Sequence, residues 1–172
     1  MFTNLVSRAL IASGLVLGAV ATFSPATLAA TTATVNLAGS VASTLAITSS
    51  TAAGASALAL QGTGTAGVQT IVKAADVAID TNNSTGYTLT ATSGNLVNAT
   101  TTTPIAYQVT SVADAAAAPG AGGFTAASGT NYTVASDAAG PVPKDLYIMY
   151  TPAQFQDPGT YTAIITLTVA DN

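Results

Sequence analysis

Apolar and polar positions alternate with a period of two through most of the chain. Val35, Leu37, Gly39, Val41, Ser43, Leu45 and Ile47 all fall on odd numbers, with mostly polar or small residues between them. That is the pattern of a strand with one buried face, and Gly39 is where so long a strand is expected to bend or split. Residues 51–67 are Ala, Gly, Ser and Thr around a short apolar alternation at 57–60, read as a brief strand. Residues 68–72 and 77–79 add further β material, and 81–86 (Thr-Asn-Asn-Ser-Thr-Gly) is turn chemistry. Residues 87–92 alternate cleanly, and 93–95 (Ser-Gly-Asn) turn the chain again.

Residues 105–112 form the next predicted strand, with Tyr107 and Val109 inward. Residues 113–127 hold an Ala run beside Pro119-Gly120-Ala121-Gly122-Gly123, which favours a loop over a helix. Residues 132–134 give a brief strand, and 146–150 are apolar on both faces, which places that strand centrally. After Pro152 and Asp157-Pro158-Gly159, the closing strand has Tyr161, Ala163, Ile165, Leu167 and Val169 on one face. Thr160, Thr162, Thr166 and Thr168 lie on the other, broken only by Ile164. The sum is an all-β chain, an antiparallel β-sandwich of about eight or nine strands.

The first thirty residues follow different rules. Arg8 supplies a positive start, residues 9–23 are an apolar run, Ser24-Pro25 break it, and Ala26-Thr27-Leu28-Ala29-Ala30 offer small residues for a peptidase. This is the three-part pattern of a secretory signal, an N-terminal signal helix spanning 1–30 ahead of a sandwich domain at 31–172. The apolar run is shorter than the roughly 20 residues a membrane span requires, so removal is expected and no membrane association thereafter.

Composition narrows the chemistry. Only 6% of the 172 residues are charged, and there is no Cys, His or Glu. Thiol and imidazole nucleophiles, histidine-ligated metals and disulfide staples are therefore excluded. Without Arg8 the chain carries two positive and seven negative charges, a net of −5. No basic patch could neutralise phosphates, so nucleic acid is not an expected partner. Asp76 and Asp80 are the two carboxylates closest in sequence. Asp80-Thr81-Asn82-Asn83 offers hard oxygens of the kind Ca²⁺ takes, but lacks EF-hand spacing, and a self-bonded turn is the favoured reading. No catalytic residue, metal or cofactor is expected, and the chain is read as a non-enzyme. Of the six tyrosines, Tyr87, Tyr107, Tyr150 and Tyr161 fall in expected strands and are read as half-buried core residues, with a carbohydrate-stacking platform as the rival, while the pattern leaves Tyr132 and Tyr147 undetermined.

The segment Asn82-Asn83-Ser84-Thr85-Gly86-Tyr87-Thr88-Leu89-Thr90-Ala91-Thr92-Ser93, the Pro104-Ile105-Ala106-Tyr107 start, and the ending Pro158-Gly159-Thr160-Tyr161 through Val169 are similar to parts of a known group. They resemble exported bacterial pilin-like proteins of the chaperone–usher and spore-coat-U-like kind. The resemblance, spanning about residue 68 to the C-terminus, implies an immunoglobulin-like sandwich and a secreted, periplasmic or cell-surface location. It also implies self-association or association with other surface subunits by strand exchange. The segment suited to donate a strand is Val35, Leu37, Gly39 and Val41. So short a segment before the first core strand raises a question: whether one stretch must serve both as donor and as core strand. The leading expectation is a structural or adhesive fimbrial or coat subunit. The alternative is a monomeric secreted module that binds carbohydrate or protein.

Overall fold

The computed structural model describes residues 31–61, 67–100 and 103–172. The expected signal helix at 1–30 lies outside the described residues. The chain divides into two units, Met1–Gly39 and Ser40–Asn172. Of the first, residues 31–39 are described and carry no helix or strand.

Among its described residues the second unit holds nine strands: β1 (Leu45–Thr51), β2 (Thr70–Thr81), β3 (Tyr87–Ala91), β4 (Gly94–Asn98), β5 (Ile105–Ala113), β6 (Tyr132–Ser136), β7 (Gly140–Tyr150), β8 (Tyr161–Thr162) and β9 (Leu167–Asp171). Two 3₁₀ turns, Ala53–Ser56 and Ala121–Gly123, complete the elements, and no α-helix occurs among the described residues. One antiparallel sheet has the order β1-β2-β7-β5-β4-β8 and the other β6-β3-β9. Val77, Ile79, Leu96, Tyr107, Val109, Leu146, Ile148 and Tyr150 of the larger sheet form one core with Tyr87, Leu89, Ala91 and Tyr132 of the smaller. This is the expected all-β sandwich.

Where the period of two is unbroken and the strand is local, expectation and structure coincide. The inward positions of β3 are Tyr87, Leu89 and Ala91, all fully buried, and those of β5 are Ile105, Tyr107 and Val109. β7 runs between β2 and β5, and from Asp145 to Tyr150 both of its faces are covered. Its inner face joins the main core. Its outer residues Tyr147 and Met149 pack under Phe124, with Ile71 and Val112 beside them. The loop read at 113–127 is therefore a cover for the back of the sheet. Thr110 Oγ1 donates to Gly123 O at 2.9 Å, and Gln108 Nε2 to Ala126 O at 2.7 Å, holding it there.

Four expectations are corrected. The long alternation from Val35 to Ile47 is strand only from Leu45 onward; residues 35–44 lie in no strand. Residues 57–60 are not a strand, and Leu58 and Leu60 instead pack against the core from irregular backbone. Residues 93–95 are not merely a turn, since Gly94 opens β4, whose Leu96 and Asn98 point inward. The closing strand is two strands: β8 pairs with β4 in the larger sheet, β9 pairs with β3 in the smaller, and residues 163–166 cross between them.

Residues 68–72 and 77–79 merge into β2 through a bulge at Ala74, the one residue without a register partner between Lys73↔Tyr147 and Ala75↔Leu146. A bulge reverses which parity faces the core. Upstream Val72 packs against the core, and downstream Val77 and Ile79 do. One glycine is required by geometry. Gly86 has φ +82° and its missing side chain leaves room for the backbone of Ser136 and Asp137, which a Cβ would strike.

Candidate functional site

Three features of the second unit are candidates: a groove, a charged cluster and the end of the sandwich where the chain enters β1.

The groove encloses about 560 Å³. One wall is β1 and the 3₁₀ turn (Ser49, Thr51, Ala55), and the other is the crossover from β8 to β9 (Thr162, Ala163, Ile165). Its floor is core: Leu96, Tyr107, Leu146 and Ile148. It follows from topology. β1 and β8 are the two edges of the larger sheet and β9 is an edge of the smaller, so the sandwich is open along this side. The closing segment leaves one sheet at Thr162 and enters the other at Leu167, and the groove lies along the gap it spans.

The strand-exchange residues named from sequence are not brought into any sheet. Val35 and Leu37 are 82% and 92% exposed, and Val41 is 90% exposed. An added Cβ at Gly39 would meet nothing within 4 Å. β1 begins at Leu45, so the core strand and the exposed alternation are separate stretches.

The charged cluster sits on the outer face of the larger sheet. The bulge at Ala74 puts Lys73 and Asp76 on one face, although three residues apart in a regular strand would place them on opposite faces. Asp145 lies directly across from Asp76 on β7. Lys73 Nζ is 2.6 Å from Asp76 Oδ1 and 2.8 Å from Asp145 Oδ1. Asp145 is buried, and the Lys73 ammonium is the partner that compensates its Oδ1. Contact with Asp145 first, and Asp76 second, holds the Lys73 ammonium well above its ordinary range. Asp114 joins the two aspartates, with carboxylate oxygens of all three within 4.8 Å of one another. The pairing weighed from sequence, Asp76 with Asp80, does not form. Both point outward from β2 four residues apart, and Asp80 lies opposite Pro141. The spacing of Asp76, Asp114 and Asp145 along the chain carries no signal, because a bulge and two strand pairings create their proximity. With Lys73 between two of them, the cluster is an ion-pair network.

The tyrosines do not form a stacking surface. Tyr87, Tyr107, Tyr132, Tyr147 and Tyr150 are buried and Tyr161 is half-buried. Burial pushes the Tyr107 and Tyr150 phenols above their ordinary value of 10.0. Above about pH 10 the unfolded chain therefore loses protons that the folded chain keeps, and folding stability falls as pH rises. Lys73, also raised, acts in the same direction. A denaturant midpoint that is flat from pH 7 to 9 and drops by pH 11 is expected in urea titrations.

The third feature is a hydrogen-bonded junction. Asp171 Oδ1 accepts from buried Thr81 at 2.8 Å and Oδ2 from Ser43 at 2.7 Å. Asn172 accepts from Asn83, Thr85 and Thr88 and donates to the carbonyls of Thr85 and Ser136. The Asn-rich turn was legible in the sequence as a turn, and its role in joining both ends of the unit was not. No helix among the described residues is long and apolar enough to cross a membrane. No protein-family model matches this sequence, and no curated protein or solved structure is detectably similar to it.

Proposed function

We propose that the protein is an exported, non-enzymatic surface subunit that assembles by β-strand addition, the exposed N-terminal arm of one copy entering the groove of the next. The observation that carries this reading is the pairing of complementary features in one chain. An alternating apolar arm (Val35, Leu37, Val41) is left exposed, and a groove floored by core residues is left open beside an edge strand. Main-chain hydrogen bonds along an edge would supply affinity, and alternate side chains in the groove would supply register. Export is supported by the residues around Arg8, the apolar run and Ala26–Ala30. The lack of His, Cys and Glu leaves little with which to build a catalytic site. The rival module that binds carbohydrate through stacked rings gains no support from six tyrosines that are buried or half-buried.

The test is light scattering on residues 31–172, with and without residues 31–41, over a range of concentrations. Assemblies that disappear on deletion, with the thermal transition of the remaining unit unchanged, are the expected result. An intact chain that stays monomeric at every concentration would defeat the reading. So would a deletion that unfolds the protein, because the segment would then be part of its own core.

A further inference from the structure

The period of two runs from Val35 to Ile47, with Gly39 and Ser43 at two of its odd positions, yet Val35, Leu37 and Val41 are exposed and strand β1 begins only at Leu45. Periodicity cannot say where the arm stops, so something else must. The regular pairing of β1 with β2 begins at Leu45↔Thr81. Beyond it, Asn82 continues the ladder. Its backbone N–H donates to Thr44 O at 3.2 Å, its Oδ1 accepts from the Thr44 N–H at 2.9 Å, and its Nδ2 donates to Ala42 O at 2.8 Å. The asparagine amide thus stands in for a peptide group of a strand that has already turned away.

The intervening Ser43 is held from another side. Its Oγ donates to Asp171 Oδ2, whose partner oxygen accepts from Thr81 Oγ1; that hydroxyl in turn accepts from the Asn83 N–H at 3.0 Å. Three consecutive residues, Ala42 to Thr44, are therefore tied to the β2–β3 turn and to the end of β9. Val41, the next residue upstream, is 90% exposed.

We propose that Asn82 and Asp171 form an anchor for the root of the arm. The anchor keeps β1 in its own chain and leaves only the residues up to Val41 free to enter a second copy. The inference rests on the assembly reading above. Without the anchor, β1 and the arm are one continuous alternating strand, and β1 can leave with it. Exchange of the whole strand between copies would then replace addition of a short one.

Two readouts on the dilute chain of residues 31–172 test the anchor independently of assembly. Elastase, which cuts after small residues, is expected to trim the intact protein to the Val41–Ala42 boundary and stop, as read from product masses. In Asn82→Ala the trimming runs on into β1, and amide exchange at Thr44 becomes faster by about tenfold, while exchange at Leu89 is unchanged. Ser43→Ala, which removes one exposed hydroxyl, gives a smaller shift of the same kind and serves if Asn82→Ala folds poorly. Trimming that passes Ala42 in the intact protein, or an unchanged boundary and Thr44 exchange in both variants, would overturn the anchor. Loss of the anchor is further expected to change the size distribution of assemblies. If the intact chain shows the boundary but forms no assemblies, the assembly reading fails and the anchor stands as a fold feature.

Discussion

Leu89→Ala is expected to cost about 2–5 kcal/mol, a large share of the roughly 5–15 kcal/mol that holds a domain together. Leu89 is fully buried at the middle of β3, the central strand of the three-stranded sheet, paired with Val134 on one side and Val169 on the other. Truncation opens a cavity facing the larger sheet, and β3 cannot shift to fill it without breaking both ladders at once. A three-stranded sheet has one interior strand, so no neighbour can take over its role. Circular dichroism should show a midpoint lower by on the order of 10 °C. The control is two residues away. Tyr87 is equally buried, but its hydroxyl has no hydrogen-bond partner among the described residues. Tyr87→Phe removes a desolvated polar atom and keeps the ring, so it should cost nothing or gain about 1 kcal/mol. A large loss in Tyr87→Phe would mean that the hydroxyl is satisfied in solution.

The second large effect is an asymmetry in the ion-pair network. Lys73→Met should lower the melting temperature much more than Asp145→Asn, although both break the same 2.8 Å contact. The cause is which charge is left behind. Without Asp145, Lys73 keeps Asp76 and is one-third exposed, so water solvates it. Without Lys73, the Asp145 carboxylate stays 3% exposed, opposite Asp76 and near Asp114, with two like charges and no cation between them. The double variant Lys73→Met/Asp145→Asn should recover most of the loss, because the buried charge goes with its partner. Equal melting temperatures for the two single variants would show that Asp145 gains its compensation elsewhere.

The closing segment shows how far a period of two can be read. Its alternation from Tyr161 to Val169 is real, and the half-burial of Tyr161, Ile165, Leu167 and Val169 follows it. Alternation states which side of a strand is apolar, and says nothing about which strand it pairs with. β8 and β9 belong to different sheets because their partners, β4 and β3, were already placed in different sheets by the short connection between them. The same limit applies at the other end of the chain. Val35 and Ile47 belong to one pattern, and the pairing with β2 from Leu45 onward, with the bonds from Asn82 and Asp171 just ahead of it, separates the core strand from the exposed arm.

Composition and local pattern by themselves determined the β class and the inward residues of β3 and β5. They also determined the central place of β7 and the absence of thiol and imidazole chemistry. Each of these depends on residues adjacent in sequence or on residues that do not occur at all. The groove, the joining of Asp76 with Asp114 and Asp145, and the anchor at Asn82 depend on contacts between residues 38 to 128 positions apart. A one-residue bulge at Ala74 was enough to bring Lys73 and Asp76 to one face and to merge two apparent strands into one. Such features come from how strands register against one another. Register is set by the packing of the whole sandwich, so only the tertiary structure decides it.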